Sequence, residues 1–127
     1  MKVLDTTFLI DLFKGKSETL SKQKEEDLFV TSQINMYEIL VGIFHDGNSS
    51  KILKVQELFE NIRVLPLTES GVMKSAQISA ELMKEGLMVE DMDCLTAGIA
   101  LSHGINTVIT KNVKHFKRMK GIIVETY

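Results

Sequence analysis

Four oxygen-bearing side chains stand at places where a parallel sheet would bring them together. Asp5 ends an apolar run that predicts a strand, and Asn112 follows the β-branched segment 107–110. Asp93 starts a small-residue run that predicts a helix, and Glu38 lies in an early turn of another helical segment. Three carboxylates in one cleft would repel one another by several kcal/mol unless a divalent cation is present. Hard carboxylate ligands favour Mg²⁺ or Mn²⁺, and metal-bound water can attack a phosphodiester.

The acids near helix starts also have a purely structural explanation. Segment 33–45 around Glu38 is apolar almost all round, which predicts a helix buried in the core or covered by a partner. A carboxylate there is costly unless it is paired or metal-bound. An acid near a helix start, however, also gains about 0.3–1 kcal/mol from the helix dipole. Asp91, two residues before Asp93, is therefore either a helix cap and support or a further acid of the site.

The elements that would position these residues are short apolar strands alternating with amphipathic helices. Such alternation predicts an α/β fold, a three-layer sandwich with a mostly parallel, twisted central sheet. Ligands of such folds bind beyond the carboxyl ends of the strands, where the polar residues above are expected. Pro66 indicates an edge position for its strand. The predicted strands are 2–5, 28–31, 63–67, 107–110 and 122–124.

Helix boundaries follow from capping residues and apolar periodicity. The polar segment 15–27 predicts a helix with loops, and Ser32 is the expected N-cap of helix 33–45. Ser49 or Ser50 is expected to cap the next helix, whose apolar face is Ile52, Val55, Leu58, Phe59 and Ile62. A long helix is expected from Thr68 to Gly86, with Val72, Ala76, Ala80 and Met83 facing inward. The helix that starts near Asp93 is expected to end at Gly104.

Composition places the chain among ordinary globular proteins. Its 127 residues fit one domain, 1–127, and a net charge of −2 decides nothing about nucleic acid. No apolar run reaches the length of a membrane span, and the start of the chain lacks a signal-peptide pattern, so we expect a cytoplasmic protein without membrane association. Cys94 is the only cysteine, which excludes an intramolecular disulfide and a thiolate cluster, and its apolar neighbours predict a buried residue.

Basic residues crowd one short segment near the end of the chain. No acid occurs from Cys94 to Val124. A local basic patch beside acidic site residues could bind phosphates, although a solvated charged loop explains it equally well. The segment contains Lys111, Lys114, Lys117, Arg118 and Lys120.

Four motifs, in order along nearly the whole chain, resemble those of the PIN domain family. The opening Asp5-Thr6-Thr7 follows a strand, and Glu38 to Gly42 is similar to the family's E-x-x-x-G helix motif. Residues 93–100 resemble its D-x-x-I-A-A-x-A helix start, and residues 110–116 its T-x-[D/N]-x-x-H-F segment. Size and motif style most resemble the VapC toxins of prokaryotic type II toxin–antitoxin pairs.

The resemblance implies a Mg²⁺- or Mn²⁺-dependent endoribonuclease, commonly a homodimer neutralised by a VapB antitoxin. By position, it implies that Asp5, Glu38 and Asp93 bind the metal and that Asn112 is the fourth catalytic position. Where the family has aspartate, Asn112 is neutral, which weakens a second metal site. The resemblance gives supporting roles to Thr6, Thr110 and Asp91, and RNA-phosphate contacts to Lys111, Lys114, Lys117 and Arg118.

Other functions remain open from the sequence. A signalling receiver domain has acids near its first strand and a lysine after a late one, which Lys111 would match, but strands 28–31 and 63–67 do not end in aspartate. A D-x-D-x-T phosphatase would need an aspartate where Thr7 stands. A binding module without catalysis would suit Asn112.

The helix 33–45 and the helix that contains Ile52, Val55 and Phe59 are candidates for a dimer face or an antitoxin groove. His115 is expected to be a structural residue rather than a general acid.

Overall fold

The central sheet holds short strands that lie parallel to one another. The computed structural model describes residues 1–25 and 27–127. In this part of the chain the sheet has five strands: β1 (Lys2–Leu4), β2 (Phe29–Ser32), β3 (Arg63–Leu65), β4 (Thr107–Ile109) and β5 (Ile123–Glu125). Their spatial order is β3-β2-β1-β4-β5, and each neighbouring pair is parallel. The predicted strands are confirmed with ends shifted by one or two residues, and Pro66 follows the edge strand β3 as expected.

Successive side chains along the strands are buried in two separate hydrophobic cores, one on each face of the sheet. Val3 is fully buried in one cluster with Val108, whereas the next residue, Leu4, is buried in the other with Ile109. Successive residues of a strand point to opposite faces, so a sheet buried on both sides must be covered by helices on both sides. The predicted three-layer α/β sandwich is confirmed.

Helices α1 (Thr6–Phe13), α3 (Gln33–Asp46) and α4 (Ser49–Asn61) cover one face. On the other face lie α5 (Glu69–Lys84), α6 (Asp91–Ser102) and the short α7 (Val113–Lys117). The expected apolar face of α4 is confirmed from Val55 onward: Val55 is buried in the first of these layers and Leu58, Phe59 and Ile62 pack against the same cluster, whereas Ile52 is half-buried outside it. Helix α2 (Ser17–Gln23) falls in the polar segment predicted as helix with loops, of which Glu26 lies outside the described residues.

The inward face of α5 was predicted wrongly. Val72 and Met83 are 49% and 62% exposed, and Ala76 and Ala80 are exposed too. The buried residues of α5 are instead Gly71, Ser75, Ile78 and Leu82. The cause is the close packing of α5 on α6: a Cβ built on Gly98 would lie 1.9 Å from Ser75 Oγ and 2.6 Å from its backbone nitrogen. Small residues fill this contact because larger ones would hold the helices apart.

Helix α3 is less buried than its composition predicted. Tyr37, Val41 and Phe44 are 56%, 52% and 59% exposed, whereas Asn35 and Ile39 are buried. The expectation of a helix buried in the chain's own core is therefore wrong, because α3 lies on the outside of its layer. Cover by a partner stays a prediction.

Capping residues were mostly identified correctly from the sequence. Ser32 and Thr68 accept the hydrogen bonds of N-caps, from the backbone N–H groups of Asn35 and Gly71 respectively. Helix α4 is an exception, because Asn48 rather than either serine accepts from the first free N–H groups. No helix of the described residues is long and apolar enough to cross a bilayer.

Candidate active site

Asp5 joins β1 to α1 and serves both as a helix cap and as a site residue. Its Oδ1 accepts hydrogen bonds from the Thr7 backbone N–H at 2.9 Å, the Thr7 hydroxyl at 2.6 Å and the Phe8 N–H at 3.3 Å. Its Oδ2 accepts from the Thr110 hydroxyl at 2.6 Å. The residue is only 2% exposed. These donors fix the carboxylate at the carboxyl edge of the sheet, as the end of a parallel strand requires.

The segment after β4 is tied to the same place through two threonine hydroxyls. The Asn112 N–H donates to Thr110 Oγ1 at 2.8 Å, and the Lys111 N–H donates to Thr7 Oγ1 at 3.0 Å. Asn112 precedes α7 and is half-buried. The backbone of Asn112 is therefore joined to Asp5 through the Thr110 hydroxyl.

Glu38 reaches the site through a chain of polar side chains. Its Oε1 accepts a hydrogen bond from the Thr6 hydroxyl at 2.7 Å, and Thr6 Oγ1 accepts from Asn35 Nδ2 at 3.1 Å. Asn35 Nδ2 also lies 3.3 Å from Thr96 Oγ1 on α6. Asn35 is buried and receives the Ser32 hydroxyl on its Oδ1 at 2.6 Å. These hydrogen bonds connect α1, α3 and α6.

Asp93 lies in the first turn of α6 and pairs with a histidine of α7. Its Oδ2 is 2.8 Å from His115 Nδ1. Asp93 is 9% exposed, and one turn further on Thr96 faces Asn35. The two helices that begin on either side of the site, α6 and α7, are thus linked at a carboxylate.

Burial sets the electrostatics of the two aspartates. Burial raises the pKa of Asp5 above its ordinary value, the hydrogen bonds from Thr110 and Thr7 oppose this, and the charge of Asp93 adds to the rise. Burial also raises the pKa of Asp93, against the lowering influence of His115. Within the described residues, no ion pair joins Asp5 to a basic side chain. Positive charge placed between these carboxylates would relieve both the burial and their repulsion.

Asp91 and Arg118 lie in small recesses beside α5, whereas the lysines predicted to contact RNA phosphates are exposed. Asp91 is exposed and lines a small recess with side chains of α5, away from the contacts of Asp93. Arg118 lines another recess beside Glu81 and Glu85. Lys114 and Lys117 are exposed on α7. The ammonium of Lys111 lies 3.6 Å from Asp11, and the Lys111 side chain is 43% exposed.

Sequence reasoning missed the roles of three residues. Thr7, not Thr6, donates to Asp5, and Asn35 donates to Thr6, which holds Glu38, and to Thr96 of α6. His115 was expected to be structural rather than a general acid, which stays a prediction, but its contact with Asp93 was not foreseen. A signal existed for two of them: Thr7 belongs to the opening motif, and His115 to the T-x-N-x-x-H-F segment. The only sequence signal for Asn35 was its position three residues after the helix cap Ser32.

The donor set fits a hard divalent cation in its chemistry. Asp5 and Asp93 are buried carboxylates whose pKa values are raised by burial, and Glu38 adds a third oxygen donor. Among the described residues, no group of three acidic, histidine or cysteine side chains is already gathered closely enough to form a cage. The site therefore offers separate carboxylates at one edge of the sheet, each held by a hydroxyl or an imidazole.

An open groove of about 300 Å³ lies between α1, α3 and α4, with Glu38 on its wall. Its lining is mainly apolar, and Gly42 leaves room there because a Cβ at this position would meet no atom within 4 Å. Lysines also line it. The residues that line the groove are Ile10, Phe13, Lys14, Glu38, Ile39, Gly42, Ile43, Lys51 and Lys54.

Comparison with known proteins gives consistent matches over the whole chain. The family model described as PIN domain matches residues 2–122. The chain is 30% identical to ribonuclease VapC1 of Rickettsia felis over 98% of its own length and 94% of the relative's. It is 30% identical to the tRNA(fMet)-specific endonuclease VapC of Salmonella typhimurium, over 98% and 96%. It superposes with a TM-score of 0.86 on the DNA-bound VapBC structure from Salmonella typhimurium, at 27% identity over 98% and 96% of the two chains.

Proposed function

The chain belongs to the PIN domain family, and from this premise we propose that it is a metal-dependent endoribonuclease, the toxin of a toxin–antitoxin pair. The observation that carries the proposal is the pair of buried carboxylates, Asp5 and Asp93, at the carboxyl edge of a parallel sheet. Asp5 has no basic partner among the described residues and Asp93 has only His115, so the cost of burying both acids is best explained by a cation bound during function. Their oxygen chemistry selects Mg²⁺ or Mn²⁺.

The chain's own residues orient the reaction. A divalent cation, when bound, would neutralise the acids and supply an acidified water for attack on the phosphodiester. Asp5 is held for this by the Thr7 and Thr110 hydroxyls, and Asp93 by His115. Glu38, held by Thr6, is the third, half-buried carboxylate, which we assign to the same cation. Removal of such a supporting partner typically costs about 10–100-fold in metal affinity or activity.

The groove between α1, α3 and α4 is the surface we assign to the antitoxin. Its apolar walls suit the apolar face of a partner segment, and Lys14, Lys51 and Lys54 would favour acidic residues beside that face. Glu38 lies on the same wall, so a bound segment would also cover the site. This arrangement explains how one partner would both bind and inhibit.

A catalytically impaired module is the second candidate, favoured by Asn112, which is neutral where the family's motif also allows aspartate. In that case the chain would bind RNA or the antitoxin without cleaving. A receiver-like domain is set aside, because the matches to PIN domains extend over the chain from residue 2 to residue 122.

Cleavage assays separate these functions. Purified protein should cut RNA with Mg²⁺ or Mn²⁺ and stop with EDTA. Asp5→Asn and Asp93→Asn should each lower the cleavage rate by at least about a hundredfold, more than loss of a supporting partner costs, with unchanged circular dichroism. Asp46→Asn, at an exposed acid of α3, is the matched control and should cut at the wild-type rate. Full activity of either site variant would reject the proposal, and RNA binding without cleavage under any divalent ion would favour the impaired module.

A further inference from the structure

A second polar cluster lies beside Asp5, centred on Asp11 of α1. The side chain of Asp11 is only 10% exposed, and Lys16 Nζ lies 3.0 Å from its Oδ1. On its Oδ2 it accepts the Tyr127 hydroxyl at 2.8 Å, and Lys111 Nζ lies 3.6 Å away. Asp11 of α1 thus contacts one residue after each of three elements: Lys16 after α1, Lys111 after β4 and Tyr127 after β5.

Tyr127 packs between the core and Lys111. Its ring meets Phe8 edge to face, with centroids 4.8 Å apart, and the Lys111 ammonium lies 4.9 Å from the ring centroid. That distance is within reach of a cation–π contact. Lys16 and the Tyr127 hydroxyl hold the pKa of Asp11 low, while burial and Asp11 raise the pKa of Tyr127. Asp11 therefore stays ionised, and Tyr127 stays a neutral donor.

Lys111 is held in this cluster but is not neutralised by it. The nearer lysine to Asp11 is Lys16, at 3.0 Å against 3.6 Å, and the Lys111 side chain remains 43% exposed. One carboxylate facing two ammonium groups leaves an excess positive charge. That charge is available to an anion such as a phosphate.

The backbone of Lys111 is fixed relative to the catalytic acid. Its N–H donates to Thr7 Oγ1 at 3.0 Å, and the Thr7 hydroxyl donates to Asp5 Oδ1 at 2.6 Å. One residue therefore has its backbone set by the site and its ammonium set by Asp11 and Tyr127. Together these contacts determine where a phosphate could be bound beside Asp5.

We propose that Tyr127 and Asp11 are positioning residues, which hold the Lys111 ammonium where it binds an RNA backbone phosphate next to the one that is cleaved. The inference rests on the proposed ribonuclease activity and deepens it. Such a contact carries no base information and acts on substrate affinity more than on the chemical step.

Cleavage kinetics and metal-free RNA binding test this with four variants: Lys111→Gln, Tyr127→Leu, their double mutant, and Lys74→Gln as a control at an exposed lysine of α5. Lys111→Gln should raise KM several-fold with little change in kcat. In the metal-free binding assay, the plot of the logarithm of the RNA association constant against the logarithm of the salt concentration should become less steep by about 0.7, the value for one phosphate contact on single strands. Tyr127→Leu should raise KM in the wild-type background but not in the Lys111→Gln background, because it acts through that lysine. Lys74→Gln should change neither quantity.

Different results would overturn the positioning role of Tyr127 and the ribonuclease proposal. Additive effects of the two substitutions on KM, or an unchanged salt slope in Lys111→Gln, would overturn the positioning role. If Tyr127→Leu does not fold, Tyr127→Phe makes the same comparison, since it removes only the hydroxyl bonded to Asp11. A folded wild-type chain that cuts no RNA would reject the ribonuclease proposal alone, and the metal-free salt slopes would then still decide the role of Lys111.

Discussion

Asp5 is a costly residue for the fold that contains it. It is 2% exposed, its pKa is raised by burial, and the nearby charge of Asp93 raises it further. A raised pKa means that the folded state favours the neutral acid, so the ionised form lowers the free energy of unfolding at neutral pH. The ionised carboxylate of Asp5 therefore lowers the free energy of unfolding of the metal-free protein.

Asp5→Asn should therefore raise the melting temperature of the metal-free protein at pH 7 by a few degrees. Asparagine caps a helix about as well as aspartate, so the hydrogen bonds to Thr7 and Phe8 can persist. Wild type gains stability as pH falls through the folded pKa toward the ordinary value of 3.8, so the difference between the two proteins should narrow in acid.

Thermal unfolding followed by circular dichroism in EDTA, between pH 7 and 4, measures this difference. Mg²⁺ should raise the melting temperature of wild type more than that of Asp5→Asn. A variant that melts below wild type at pH 7, with a gap independent of pH, would contradict the assignment of burial as the main cause.

The sequence predicted the acids of the site better than their partners. Asp5 could be placed because the carboxyl ends of parallel strands share one edge. Which threonine faces which acid could not, because it depends on the rotation of α1: Thr7 turns to Asp5 and Thr6 to Glu38. His115 reaches Asp93 through the short α7, whose orientation depends on packing of Phe116 in the core.

At the scale of elements, the closest approach lies between α5 and α6. Gly98 permits this approach, since a Cβ there would overlap the Ser75 side chain and its backbone. Asp93 and Thr96 are on the same helix as Gly98, so the α5–α6 contact also sets where the site acid lies.

Gly98→Ala should destabilise the protein by roughly 1–3 kcal/mol or more, because α5 must move to admit the methyl group. The matched control is Gly42→Ala in α3, where the added Cβ meets nothing within 4 Å. This change should be neutral or stabilising by up to about 1 kcal/mol, since alanine is the better helix former. Urea unfolding of both variants measures the contrast, and equal stability of the two would contradict the packing argument.

Helix positions could be predicted, whereas one helix face could not. The span of α5 followed from its cap Thr68 and from Gly86, which takes a φ of +72° just beyond its end. Apolar periodicity chose Val72 and Met83 as inward residues, but the buried contact uses glycine and serine. The buried face of α5 packs against Gly98 of α6, where only small residues fit. A pattern of apolar residues cannot identify such a face.

At the scale of the molecule, the outer surface of α3 remains open. Tyr37, Val41 and Phe44 leave more than half of their area to solvent. We expect a homodimer, with this helix as a candidate face, because scattered apolar residues are normal but a row on one helix indicates a partner. The edge position of β3 was predictable from Pro66; the strand order was not, because it depends on which crossovers the helices make.

Light scattering at micromolar concentration should give twice the chain mass, and Val41→Glu should shift it toward the monomer, because a buried unpaired charge is costly. Leu20→Glu, at an exposed position of α2, is the control and should leave the mass unchanged. A wild-type monomer under these conditions would reject the dimer.

The pairing of β1 with β4 brings together residues far apart along the chain. Thr110 donates its hydroxyl to Asp5 across 105 positions, and Lys111 meets Thr7 across 104. During synthesis on the ribosome, a nascent chain that lacks Thr110 holds Asp5 only through the local donors of Thr7 and Phe8. Pairings of such high contact order form slowly. Translation itself would therefore delay the appearance of activity and give a co-synthesised inhibitor time to bind.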